Sequence, residues 1–167
     1  QAVLRQPAPG LFDPVYGCYT EEYFHEMLAL ERKRSERSKK PFLVMMLNYG
    51  GIRGQETRSR FIKNAVKSLS LITRETDIKG WYRKATVLGV IFTELNSLET
   101  ESLQKKIFQS FCKGLPEEQL NTIQIWFHRF PENERPDGKV SAVPFLFYPE
   151  VPKKERSRNA ELRIKRF

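Results

Sequence analysis

The chain has 167 residues, 40% of them hydrophobic, with 12 Phe; this is enough for one domain with its own core and excludes a disordered segment. No window approaches the roughly 18 consecutive apolar residues of a membrane span, and two Cys with two His are too few and too scattered for a zinc site. The net charge of +9 is concentrated in Glu31–Lys40, with six basic and two acidic residues, and in Val151–Phe167, with seven basic and two acidic. Solvent, nucleic acid and anionic lipid are the surroundings that suit such segments. Cys18 and Cys112 are expected to be buried free thiols in a reducing, cytosolic setting. With no signal peptide and no initiator Met, the chain reads as a piece of a longer protein.

Residues 1–12 are a Pro-rich leader, and Asp13–Gly17 is turn-like. A helix is predicted from Thr20, which offers a cap, with Glu21 and Glu22 at the positive end of its dipole. Tyr23, Phe24, Met27, Leu28 and Leu30 give it an apolar stripe, and it runs through the basic segment to about Ser38. Phe42–Tyr49 is a continuous apolar run of strand length, the pattern of a strand buried on both faces. Gly50 and Gly51 end it. A second helix follows over Gln55–Thr73, with Phe61, Ala65 and Leu69 at i, i+4 and i+8.

The middle of the chain carries a β-hairpin. Thr76–Tyr82 and Thr86–Phe92 are rich in β-branched and aromatic residues, and Arg83-Lys84-Ala85 is the turn between them. A third helix is expected over Leu98–Lys113, opened by Asn96 and Glu99 in a capping-box arrangement and stopped by Gly114 and Pro116. Thr122–Phe130 alternates and reads as a strand, Pro131–Lys139 as a loop, and Val143–Tyr148 as a last strand, placed near an edge by Pro144. The order is α-β-α-β-β-α-β-β. Without its first helix and last strand it leaves βαββαβ, an α+β ferredoxin-like core with a mainly antiparallel sheet.

Arg74 and Asp77, at the entrance of the hairpin, form the one Arg-x-x-Asp of the chain. A guanidinium makes planar contacts to phosphate or to guanine O6 and N7, and a carboxylate accepts from guanine N1–H and its amino group. A surface ion pair at a helix end fits the same pattern. Trp81 and Tyr82 suit either base stacking or the core. Arg83 and Lys84 suit a phosphate, an acidic partner or a solvated turn.

Asp13–Phe24 (DPVYGCYTEEYF) resembles the opening of GGDEF domains, the diguanylate cyclase family, with Asp13, Gly17, Tyr19 and Phe24 in the family's frame. The apolar strand ending in Asn48-Tyr49, the helix ending in RETD and the hairpin follow in the family's order, over roughly residues 13–150. The resemblance implies the GGDEF/nucleotide cyclase fold and a cyclic di-GMP site of inhibitory type at Arg74 and Asp77. It also marks the departures. Asn48 stands where active members hold magnesium with an aspartate, and a neutral amide is a weaker ligand for a hard cation. The tip reads RKATV (Arg83–Val87) or KATVL (Lys84–Leu88), with neither the glycines that let a nucleotide approach nor the acids. No catalytic residue, metal or cofactor is therefore expected.

The final ELRIKRF resembles the basic stretch before the membrane helix of bacterial polyprenyl-phosphate sugar transferases. This implies a cytosolic regulatory domain, with residues 151–167 a basic linker to a C-terminal output domain of exopolysaccharide synthesis, and membrane contact only beyond Phe167. The expected function is a non-catalytic signalling domain that binds cyclic di-GMP and controls that output domain. The alternative is a protein-interaction or self-association module without a nucleotide. Nucleic acid is not an expected partner, since no RNP-like aromatic motif is present.

Overall fold

The computed structural model describes residues 10–95, 99–114, 118, 121–131, 145–147 and 164–165. Two short strands, β1 (Phe12–Asp13) and β2 (Cys18–Tyr19), precede helix α1 (Glu21–Ser38). Then come β3 (Phe42–Asn48), α2 (Gln55–Ser70), the hairpin β4 (Ile78–Arg83) and β5 (Val87–Phe92), α3 (Glu99–Gly114), β6 (Gln124–Phe130), β7 (Phe145–Phe147) and β8 (Ile164–Lys165). They form one sheet in the order β1-β2-β4-β5-β3-β6-β7-β8. Every pairing is antiparallel except β2 with β4. β3, α2, β4, β5, α3 and β6 make the expected βαββαβ unit, with β3 between β5 and β6.

The alternation of side chains along each strand divides the core in two. Leu43, Met45 and Leu47 of β3, Leu88, Val90 and Phe92 of β5, Trp81 of β4 and Ile125 and Phe127 of β6 are buried with Phe61, Ile62, Ala65 and Leu69 of α2 and Ile107 of α3. The opposite face carries Phe42, Val44 and Ile91, buried with Phe24 of α1. Phe24 reaches the sheet because Gly80 and Gly89 face each other across β4 and β5. A Cβ on Gly89 would lie 2.3 Å from Phe24 Cζ, and one on Gly80 2.9 Å from Phe24 Cβ. The glycine pair is thus a slot cut for one ring.

Several details differ from expectation. The helix begins after Thr20, but through its backbone, where Phe24 N donates to Thr20 O at 3.0 Å; the Thr20 side chain makes no cap bond. α2 ends at Ser70 rather than Thr73, where Leu71 N turns to Ser68 O at 3.2 Å and Ile72 N to Leu69 O at 3.0 Å, the tighter i→i−3 pattern of a helix end. β1 and β2 are too short to show any periodicity. β7 is near the edge as expected, but the edge itself is β8, from the segment expected to be linker, which pairs with it at Leu146↔Lys165 and Phe147↔Ile164. Asn96, Pro144 and the rest of 148–163 lie outside the described residues. Cys18 is buried as expected, and the side chain of Cys112 is not among those described.

Candidate functional site

The turn from α2 into β4 is knitted together by Asp77. Its side chain is 2% exposed, and its Oδ2 lies 3.7 Å from Arg74 Nε. Asp77 Oδ2 also accepts the Arg74 amide at 2.8 Å, and Oδ1 accepts the Thr93 amide at 3.1 Å. The carboxylate therefore ties the hairpin's entrance to the end of β5, in the way a capping acid satisfies helix-end amides. Arg74 donates through Nη2 to Thr93 O, yet its side chain remains 51% exposed. It lines a pocket of about 230 Å³ with Asp77, Ile72, Phe92, Leu95, Ser102, Leu103 and Lys106. Nearby, Lys79 Nζ donates to Thr73 Oγ1 at 3.0 Å. Burial holds the Lys79 ammonium below the ordinary lysine range, and the charge of Asp77 partly offsets that.

The tip of the hairpin is a different environment. Thr86 N donates to Arg83 O at 3.0 Å, Arg83 pairs with Val87, and Ala85 takes a left-handed φ of 57°. α1 grips this turn: Lys84 N donates to Glu21 Oε2 at 2.8 Å, and a ring nitrogen of His25 lies 2.8 Å from Tyr82 O. Trp81 is core, 1% exposed, with Nε1 donating to Asp13 Oδ2 at 3.2 Å. Tyr82 is exposed and stacks on His25. Arg83 and Lys84 are exposed, and β4 separates them from Arg74 and Asp77 by roughly 20 Å at strand rise, so the two groups do not form one site.

The end of β3 carries the neutral amide of Asn48 and no carboxylate. Asn48 Oδ1 accepts the Gly50 amide at 2.9 Å, and its Nδ2 faces Gln124 Oε1 at 3.5 Å, so the amide is spent on its own turn. The following loop is wrapped around a cation, with Arg58 donating to Ile52 O at 2.9 Å through Nη2 and at 3.2 Å through Nε. Among the described residues no group of three His, Cys, Asp or Glu is placed to hold a metal, and no helix is long and apolar enough to cross a membrane.

No family model matches the chain, and no curated protein matches it at a significant level. Solved structures do. A DGC protein of Thermotoga maritima is 16% identical with a TM-score of 0.57, over 72% of this chain and 87% of that one. The FimX GGDEF domain of Pseudomonas aeruginosa is 14% identical with a TM-score of 0.59, over 71% and 79%. The GGDEF domain of DgcB from Caulobacter crescentus, solved in complex with c-di-GMP, is 13% identical with a TM-score of 0.57, over 82% and 83%. The fold is that of a GGDEF domain.

Sequence reasoning did not single out three groups of this region. Lys106 and Ser102 of α3 enter the Arg74 pocket only through the packing of α3 on the sheet. Arg58 had a local signal, a basic residue at the start of a helix that follows a Gly-rich turn, but its carbonyl partners are set by the loop's path. Asp13 stood in the family frame, yet its bond to Trp81 spans 68 positions.

Proposed function

We propose that the chain is a non-catalytic signalling domain of the diguanylate cyclase type, which takes an anionic nucleotide, cyclic di-GMP, at Arg74. One observation carries this reading. The Arg74 guanidinium is half exposed and lines a pocket with Lys106, while Asp77, 3.7 Å from its Nε, is held in place by the Arg74 and Thr93 amides. In this reading Arg74 and Lys106 contact phosphate or a guanine edge, and Asp77 holds Arg74 in place rather than touching the ligand. Arg83 and Lys84 lie too far away to share that ligand and remain available for an accessory anion. The lack of a metal-binding donor set at Asn48 and at the tip supports the absence of cyclase activity. The c-di-GMP complex of the structurally similar DgcB domain supports the ligand class. Binding would bias an attached output domain; the basic ELRIKRF ending supports a polyprenyl-phosphate sugar transferase of exopolysaccharide synthesis, with this domain on the cytosolic side.

Titration calorimetry with cyclic di-GMP tests the reading. Saturable binding by the native chain, lost at least tenfold in Arg74→Ala and in Lys106→Ala, is the expected result. No heat at high micromolar ligand, or equal binding by Arg74→Ala, removes it. Incubation with GTP and magnesium is expected to yield no cyclic dinucleotide.

A further inference from the structure

The two faces of the sheet are covered unequally. α2 and α3 lie together on one face. Among the described residues α1 alone lies on the other, over β4. What remains beside α1 is an open groove of about 500 Å³ over β3 and β6. Its floor is Met46, Trp126, His128 and Phe130, all only half-buried, and Leu28 of α1 forms its wall. Two strands at about 4.8 Å spacing give a floor roughly 10 Å wide, the diameter of one helix with its side chains. The rim is cationic. Arg32 of α1 sits with its guanidinium carbon 5.3 Å from the centre of the Phe130 ring, Arg83 stands at the hairpin end, and both are exposed. No carboxylate lines the groove among the described residues.

We infer that this groove is a docking site for an acidic amphipathic helix of another polypeptide, lying beside α1 with its apolar stripe on Met46, Trp126 and Phe130. Carboxylates flanking that stripe would meet Arg32 and Arg83. The mode is that of a helix laid in a groove and read by anchors at i, i+3, i+4 and i+7. Charge complementarity selects the occupant. A second copy of this chain is disfavoured, because it brings the same basic rim and a net charge of +9 against an already basic surface. This inference is independent of the Arg74 pocket, which opens between β5 and α3.

Trp126 supplies the reporter, because Trp81 is buried and held by Asp13. The probe is a synthetic 18-residue helical peptide with a Leu stripe flanked by Glu, compared with the same peptide carrying Lys at every Glu. The Glu peptide is expected to shift Trp126 emission to the blue, to bind in the micromolar range and to weaken with salt. The Lys peptide is expected to bind at least tenfold more weakly, and the exposed pair Arg32→Glu with Arg83→Glu to invert the preference while circular dichroism stays unchanged. In Trp126→Phe the spectral shift disappears while fluorescence anisotropy of a labelled Glu peptide still reports binding. Equal affinity for the two peptides overturns the inference, as does a shift that survives in Trp126→Phe. Full shielding of Trp126 from acrylamide in the free protein also overturns it, since the groove would then be filled by this chain itself.

Discussion

Toward α2 and α3, ten side chains from five strands form one buried layer with six residues of the two helices, and Trp81, Tyr49, Phe92 and Phe127 are each almost wholly buried there. On the opposite face the same strands meet a helix mainly at Phe24, in the slot opened by Gly80 and Gly89, and among the described residues no helix covers them from Met46 to Phe130. The first face is specified by many moderate contacts, so no single position there is decisive. The second centres on one ring and two missing side chains, with Met27 and Leu28 beside it, so a single added methyl group strains the seat of α1. The contrast separates a layer that holds the fold from a layer that holds one helix and offers a surface.

The sharpest way to break this contrast is Gly89→Ala. Its Cβ would fall 2.3 Å from Phe24 Cζ, and overpacking of this kind costs about 3 kcal/mol. Urea unfolding should show that loss, and Phe24→Leu in the same chain should recover part of it, giving a double-mutant coupling of about 1 kcal/mol or more. Strict additivity would mean the slot is not what seats the helix.

Next in size is the pin between the layers, Asp77. Asp77→Ala leaves the Arg74 and Thr93 amides without their acceptor and should cost about 2 kcal/mol. Asp77→Asn keeps one carbonyl oxygen and should cost about half as much in the same melts. If both variants unfold like the parent, the carboxylate is not structural.

Cys18 gives the buried layer a pH signature. Burial, with the Asp13 charge adding to it, pushes the thiol from 9.0 up to about 12. The raised folded value means that its contribution is complete below pH 9 and is lost as pH rises from 9 toward about 12. The slope is at most about 1.4 kcal/mol per pH unit. Between pH 9 and 10 the parent should therefore lose about 1 kcal/mol more than Cys18→Ala. The buried phenol of Tyr49, also pushed up by burial, is present in both proteins and so drops out of the comparison. Lys79, shifted the other way, is common to both proteins. Parallel stability curves would place Cys18 outside the core.

The smallest effect concerns Tyr49 itself. Its hydroxyl is buried without a hydrogen-bond partner among the described residues, and such a group costs about 1 kcal/mol. Tyr49→Phe should therefore raise stability by about that amount in a thermal melt. A loss of stability would reveal a partner for the hydroxyl.

Local sequence determined the long elements of this protein. The apolar run of Phe42–Asn48, the helical spacing of Phe61, Ala65 and Leu69 and the paired runs of the hairpin each carry their own periodicity, and they fall where the structure places them. That the hairpin tip and Asn48 carry no carboxylate was legible for the same reason, since residue type is read directly from the chain. Tertiary structure decided what lies between elements. Nothing local shows that Gly80 and Gly89 stand opposite each other, because strand register is a property of the pair. Nor does it show that Ile164–Lys165 adds a strand beyond β7, or that Lys106 comes round to Arg74. The same holds for Asp77: as a residue type it suited a ligand site or a surface ion pair, and only the amides of Arg74 and Thr93 converging on its two oxygens give it a structural task. The half-covered face is the clearest case. Its apolar residues fall in runs that read from sequence simply as strands, and only the assembled sheet shows that no described helix lies over them.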